Sequence, residues 1–123
     1  MTLFASNTIT RGEEAETAAC VYLNQRGLTT LERNFRCRHG EIDLIMRQDE
    51  VIVFVEVRSR RSSGFSSPAE TIDRRKQRKV IATAQYYLNR LKRHPDPPCR
   101  FDVIAITGIS PHHRVEWIED AFH

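Results

Sequence analysis

Apolar residues along the chain alternate between helical and strand-like spacing, and the change of period marks the elements. Between Thr10 and Arg26, Ala15, Ala18, Ala19, Tyr22 and Leu23 recur at i, i+3, i+4, i+7 and i+8, which predicts an amphipathic helix. Thr10 can cap its start, with Glu13 completing a capping box, and Gly27 can end it. Leu28 to Phe35 has the β-branched content of an edge strand, and Arg36 to Gly40 reads as a turn. Glu41 to Arg47 and Val51 to Arg58 then read as two strands around a polar turn at Gln48–Asp49. Ile52 to Val55 is an uninterrupted apolar run, so this strand is expected to be covered on both faces, at the centre of a sheet. Residues 59–68 are Ser/Gly-rich and read as a mobile loop. A long helix is predicted from Asp73, its cap, to Arg93, with Val80, Ile81, Ala84, Tyr87, Leu88 and Leu91 as its buried stripe. His94-Pro-Asp-Pro-Pro breaks it. Phe101 to Thr107 reads as another buried strand and Val115 to Ile118 as a short last one. The order α-β-β-β-α-β-β predicts an α/β fold, a mixed central sheet flanked by helices.

Strand parity places chemistry on that sheet. A turn at Gln48–Asp49 pairs Asp43 with Phe54 and Glu41 with Glu56. Asp43, Phe54, Glu56 and Arg58 then share one face, and Glu56 is diagonal to Asp43. Diagonal positions are ~7–8 Å apart, near enough for two carboxylates to reach one cation. Without a cation, one carboxylate is expected to hold its proton unusually tightly. A hard divalent ion with oxygen ligands, Mg²⁺ or Mn²⁺, suits such a pair. The plainer alternative is that Glu56 pairs with Arg58 or Arg60 where the strand emerges into solvent.

Composition sets bounds around this reading. At 123 residues, with 40% hydrophobic and 28% charged residues, the chain fits one ordinary globular domain, residues 1–123. No apolar run approaches a membrane span, and the start lacks the basic-then-apolar pattern of a signal peptide, so a cytoplasmic location and no membrane partner are expected. Cys20, Cys37 and Cys99 form no CxxC pair, which argues against a disulfide framework, and their spacing to the histidines matches no structural zinc pattern. The charge is unevenly spread. Residues 58–93 carry eleven Lys/Arg against Glu70 and Asp73, a local balance of +9, whereas the remainder holds 8 basic and 14 acidic residues, −6. Five of the six residues Arg74 to Lys79 are basic, at the helix end whose dipole disfavours cations. Clustered cations of this kind suit a polyanion, and a backbone phosphate there would meet both the dipole and the side chains. A solvated helix face is the alternative.

Gly40-Glu-Ile-Asp-Leu-Ile followed by Phe54-Val-Glu-Val-Arg-Ser-Arg resembles the core of the PD-(D/E)XK nuclease superfamily, in its Holliday-junction-resolvase-like branch, and the closest match is the bacterial YraN-like family. The likeness runs on through Arg33-Asn-Phe-Arg, Pro68-Ala-Glu, Arg75-Lys-Gln-Arg, Ala84-Gln-Tyr-Tyr-Leu, Arg100-Phe-Asp-Val-Ile-Ala and Glu119-Asp-Ala-Phe. The resemblance implies a restriction-endonuclease-like fold, with Asp43 and Glu56 on the superfamily's two strand carboxylates and Glu16 on the helical glutamate of the resolvase branch. Those three would hold the metal. Arg58 stands where the pattern expects lysine; an arginine stays charged, so it can clamp a phosphate but cannot serve as a base. Lys76 is a candidate substitute, although a solvated surface lysine is the plainer reading.

The resemblance thus implies a Mg²⁺- or Mn²⁺-dependent phosphodiesterase acting on DNA or structured RNA, with Arg60, Arg61, Arg74, Arg75, Lys76 and Lys79 on the backbone. Two other classes remain open: a nucleic-acid-binding module that keeps the fold without turnover, and a protein-interaction module whose basic face meets an acidic partner. Resolvase relatives act as dimers, so a homodimer is also implied, with no dimer surface legible in the sequence.

Overall fold

The computed structural model describes residues 11–61, 67–108 and 111–123, apart from the Arg11 side chain. Helix α1 (Arg11–Gln25) is followed by strands β1 (Thr29–Cys37), β2 (Gly40–Gln48) and β3 (Val51–Arg60). A short 3-10 turn (Pro68–Thr71) leads into helix α2 (Arg74–Leu91), and strands β4 (Cys99–Thr107) and β5 (Arg114–Phe122) complete the order. The five strands form one sheet in the order β1-β2-β3-β4-β5. Only β3 and β4 run parallel; the other neighbours are antiparallel. The α/β class, the element order and the mixed sheet flanked by helices are therefore as the hydrophobic pattern predicts. The uninterrupted run of β3 occupies the middle of the sheet.

Each helix covers one face. On one side Ala15, Ala19 and Leu23 of α1 pack with Leu44, Met46, Val53, Val55, Ile104 and Ile106. On the other, Val80, Ala84, Tyr87 and Leu88 of α2 pack with Phe35, Ile45, Ile52, Phe54 and Val103. Alternation in β3 produces this: Val53 and Val55 face α1, while Ile52 and Phe54 face α2. Gly27, at φ +94°, ends α1, and the amides of Gly27 and Leu28 donate to the carbonyls of Asn24 and Leu23 at 3.1 Å each. The expected Thr10 cap lies outside the described residues. Asp73 caps α2, its carboxylate accepting from the Lys76 amide at 2.8 Å.

Four local expectations are corrected. The turn falls at Asp49–Glu50 rather than Gln48–Asp49: Gln48 pairs with Val51 and Leu44 with Val55. Asp49 takes φ +55°, which an Asp tolerates, while the Gln48 side chain is held in the strand by Arg100 Nη1 at 2.7 Å. Arg36 and Cys37 belong to β1 rather than to a turn, and Ser59 and Arg60 extend β3 rather than a loop. The rest of the expected loop is partly outside the described residues. The last strand runs on to Phe122, past a register shift opposite Asp102. There Asp120 sits at φ +51°, and its amide donates to Asp102 at 2.9 Å.

Candidate active site

The corrected register places Asp43 and Glu56 just past the end of the β2–β3 pairing. Ile45 and Phe54 lie opposite one another and both face α2. Two residues further along each strand stand Asp43 and Glu56. A slip of two residues preserves side-chain faces along the paired stretch, but Ile42 packs with Ile45 on the α2 side while Leu44 and Met46 pack against α1, so the alternation breaks at Asp43. The backbone ladder between β2 and β3 stops at Leu44 and Val55. Beyond it the carboxylates take over: the Val57 amide donates to Asp43 Oδ2 at 2.8 Å, and the Asp43 amide donates to Glu56 Oε2 at 3.3 Å.

Both acids are perturbed. Glu56 is 1% exposed, and burial followed by repulsion from Asp43 pushes its pKa up from 4.5 to about 7. Asp43 is also raised, by burial first and by the nearby charges of Glu16 and Glu41, with the Val57 hydrogen bond pulling the other way. Burial and mutual repulsion thus raise both acids of the pair.

Lys76 supplies the nearest cation. Its Nζ lies 3.4 Å from Glu56 Oε1, and its side chain is 34% exposed. The plain reading of a solvated surface lysine is overturned, because packing α2 on the sheet aims its first turn at the end of β3. Glu56 does not pair with Arg58 or Arg60. Arg58 turns away to the 3-10 turn, donating from Nε to Thr71 Oγ1 at 3.1 Å and from Nη2 to the Thr71 carbonyl at 3.3 Å. Arg60, only 16% exposed, reaches Glu116 on β5 at 3.5 Å. Arg61, Arg74 and Arg75 are exposed, while Lys79 is exposed one turn further along α2.

Glu16 stands at the rim of the group. Its Oε1 accepts from Asn34 Nδ2 at 3.0 Å and lies 4.0 Å from Arg33 Nη2. Asn34 adopts φ +53° in β1, a conformation Asn tolerates. The sequence pattern does not single out Asn34; an Asn beside an Arg within a strand is a weak signal. Among the described residues no three His, Cys, Asp or Glu side chains converge on one cation position. Asp43 and Glu56 are brought together, and Glu16 acts on Asp43 through its charge. The donor set nonetheless suits a hard divalent ion: a buried and a half-buried carboxylate, mutually repelling, with oxygen donors only.

Other motif residues build a separate network between β4 and β5. Asp102 is fully buried and accepts from Arg100 Nε at 3.0 Å, Trp117 Nε1 at 2.9 Å and the Asp120 amide at 2.9 Å. Arg100 in turn reaches Glu119 at 3.2 Å. The Arg100-Phe-Asp and Glu119-Asp segments therefore lock β4 to β5. Cys20, Cys37 and Cys99 are free thiols, and among the described residues no helix is long and apolar enough to cross a membrane.

The fold and site define a mixed-sheet α/β protein with a buried and a half-buried carboxylate where two central strands part, beside a basic helix end. The chain belongs to uncharacterised protein family UPF0102, whose profile matches residues 15–106, the YraN-like family that its motifs resemble. A UPF0102 protein of Nitrosococcus oceani is 47% identical over 112 residues, covering 91% of this chain and 90% of its own. One from Nitrosomonas europaea is 48% identical and covers 91% and 92%. One from Cupriavidus metallidurans is 48% identical over 119 residues, covering 96% and 84%. Among solved structures, a repair endonuclease from Pyrococcus abyssi aligns with 79% of this chain and 39% of that one, at 20% identity and a TM-score of 0.41.

Proposed function

We propose that the protein is a metal-dependent phosphodiesterase acting on nucleic acid, with Asp43 and Glu56 holding Mg²⁺ or Mn²⁺. One observation carries the reading: Glu56 is 1% exposed at the end of the central strand and pressed against a second carboxylate, with Lys76 as the cation that offsets the charge. An arrangement so costly to the fold is what a cation-binding site requires and what a purely structural strand end does not. The ion would polarise a phosphate and acidify a water at neutral pH. Glu16, braced by Asn34, adds negative charge at the rim. Lys76, not Arg58, is the cation positioned to meet the phosphate or handle a proton, because Arg58 is committed to Thr71. Arg74 and Arg75, exposed beside Lys76, suit the neighbouring backbone phosphates.

The same facts favour a second reading, a nucleic-acid-binding module without turnover. Arg58 is occupied, and among the described residues no third ligand converges on the pair. A cleavage assay with Mg²⁺ or Mn²⁺ on branched, linear and single-stranded DNA and on structured RNA separates the two. Metal-dependent cleavage lost in both Asp43→Asn and Lys76→Ala, and reduced only modestly in Arg58→Ala, is the outcome expected of the phosphodiesterase. Binding with no cleavage of any substrate leaves the binding module.

A further inference from the structure

The outer flank of α2 presents a row of exposed residues that the carboxylate site does not use. Arg75, Lys79, Tyr86 and Arg90 follow one another at spacings of four, seven and four residues, which stacks them on one side of the helix. Tyr86 is 39% exposed, one of three large hydrophobic side chains so exposed among the described residues. Its ring is braced from below, 6.3 Å from Phe35 and 6.1 Å from the His39 ring. The Arg90 guanidinium sits 5.4 Å over the Phe35 ring. Ala82, between Lys79 and Tyr86 on that side, has no side chain long enough to obstruct the row.

The β1–β2 turn forms the other bank. Gly40 lets it approach: a Cβ at that position would stand 3.2 Å from Thr83 Oγ1 and 3.6 Å from Lys79 Cβ, and its φ of +147° also favours glycine. Arg38 and His39 at the tip of that turn therefore lie alongside α2. Of the acids on this edge, Glu41 is paired with Arg36 at 2.9 Å, and Glu32 lies near Tyr87, opposed by Arg90. The row starts next to Lys76, which touches Glu56. From Lys76 to Arg90 the helix rises ~21 Å, about six nucleotides of stacked strand at ~3.4 Å each.

We propose that Arg75, Lys79, Tyr86 and Arg90, with Arg38 and His39, form a track for an unpaired nucleic-acid strand, with Tyr86 stacking on a base. Cations alone would suit duplex phosphates equally. A braced, exposed aromatic ring between them does not, because duplex bases are already stacked and offer no open π-face. The proposal rests on the nucleic-acid reading and narrows it: the substrate carries single-stranded nucleotides beside the scissile phosphate, as a flap or fork does.

The test measures anisotropy of fluorescein-labelled oligodeoxythymidine, an abasic oligomer of the same length, and a duplex, in EDTA so that no cleavage occurs. Tyr86→Ala should weaken oligodeoxythymidine binding about five- to 150-fold, the range for one base stack, and leave duplex binding unchanged. Tyr86→Trp should restore it, which excludes a folding defect. The abasic oligomer should bind the wild type weakly and lose nothing further in Tyr86→Ala. Unchanged oligodeoxythymidine affinity in Tyr86→Ala, equal weakening for duplex and single strand, or no binding of any nucleic acid at low salt overturns the track. Asp43→Asn, which removes the proposed catalytic chemistry, should leave Tyr86-dependent binding intact. If no metal-dependent cleavage is found while that binding persists, the phosphodiesterase reading fails and the track stands.

Discussion

Replacing Glu56 by glutamine tests the electrostatics of the site directly. Glu56 titrates near pH 7 in the folded protein against 4.5 ordinarily, because burial and Asp43 disfavour its charge. The folded state thus binds this proton more tightly than the unfolded state does. Between the two values the unfolded chain has lost the proton and the folded one keeps it, so stability falls as pH rises. The penalty is absent below about pH 4.5 and complete above about pH 7. A rise of that size corresponds to about 3 kcal/mol. Glu56→Gln removes the titration, keeps an oxygen for the Asp43 amide and forfeits the ion pair with Lys76. The metal-free variant should therefore be more stable than wild type at pH 8, by about 2–3 kcal/mol or roughly 10 °C in Tm, and level with it or slightly weaker at about pH 5. Urea unfolding in EDTA at several pH values measures this. Wild-type and variant stabilities running parallel across that pH range would refute the claim that a buried, repelled carboxylate sits at this strand end.

Millimolar Mg²⁺ or Mn²⁺ should raise the Tm of the wild type, and Asp43→Asn should abolish that rise while retaining the fold, since an amide oxygen can still accept from Val57. A melting series with each ion checks it. Replacing Arg74 and Arg75 together by alanine should weaken binding to all sequences alike and lower the salt-dependence slope by about 0.9 for each phosphate that is no longer neutralised. Anisotropy titrations across salt concentrations read that slope. Asp102→Ala should destabilise the protein by about 3–5 kcal/mol by stranding Arg100 and the Trp117 N–H, as chemical denaturation will show.

Much of this molecule is decided by local sequence. The 3.6-residue stripe of α1, the double-faced run of β3 and the Asp73 cap are properties of short segments, so hydrophobic period and capping chemistry reveal them without tertiary contacts. That Asp43 and Glu56 come near each other is legible from spacing along β2 and β3, but the side on which Asp43 lies is not, because the alternation of β2 breaks between Ile42 and Leu44. Whether Gln48 or Glu50 enters the turn depends on Arg100, distant in sequence, drawing Gln48 into the sheet. Long side chains are decided entirely by packing. Lys76 reaches Glu56 because α2 lies across the β2–β3 end, Arg58 goes to Thr71 because the 3-10 turn folds back beside it, and Arg60 finds Glu116 across β4. Asn34 bracing Glu16 and Asp102 gathering Arg100, Trp117 and Asp120 likewise depend on strands and helices meeting. Periodicity assigns a residue to a face; which partner a flexible charged side chain meets there is set by how the helices and strands pack.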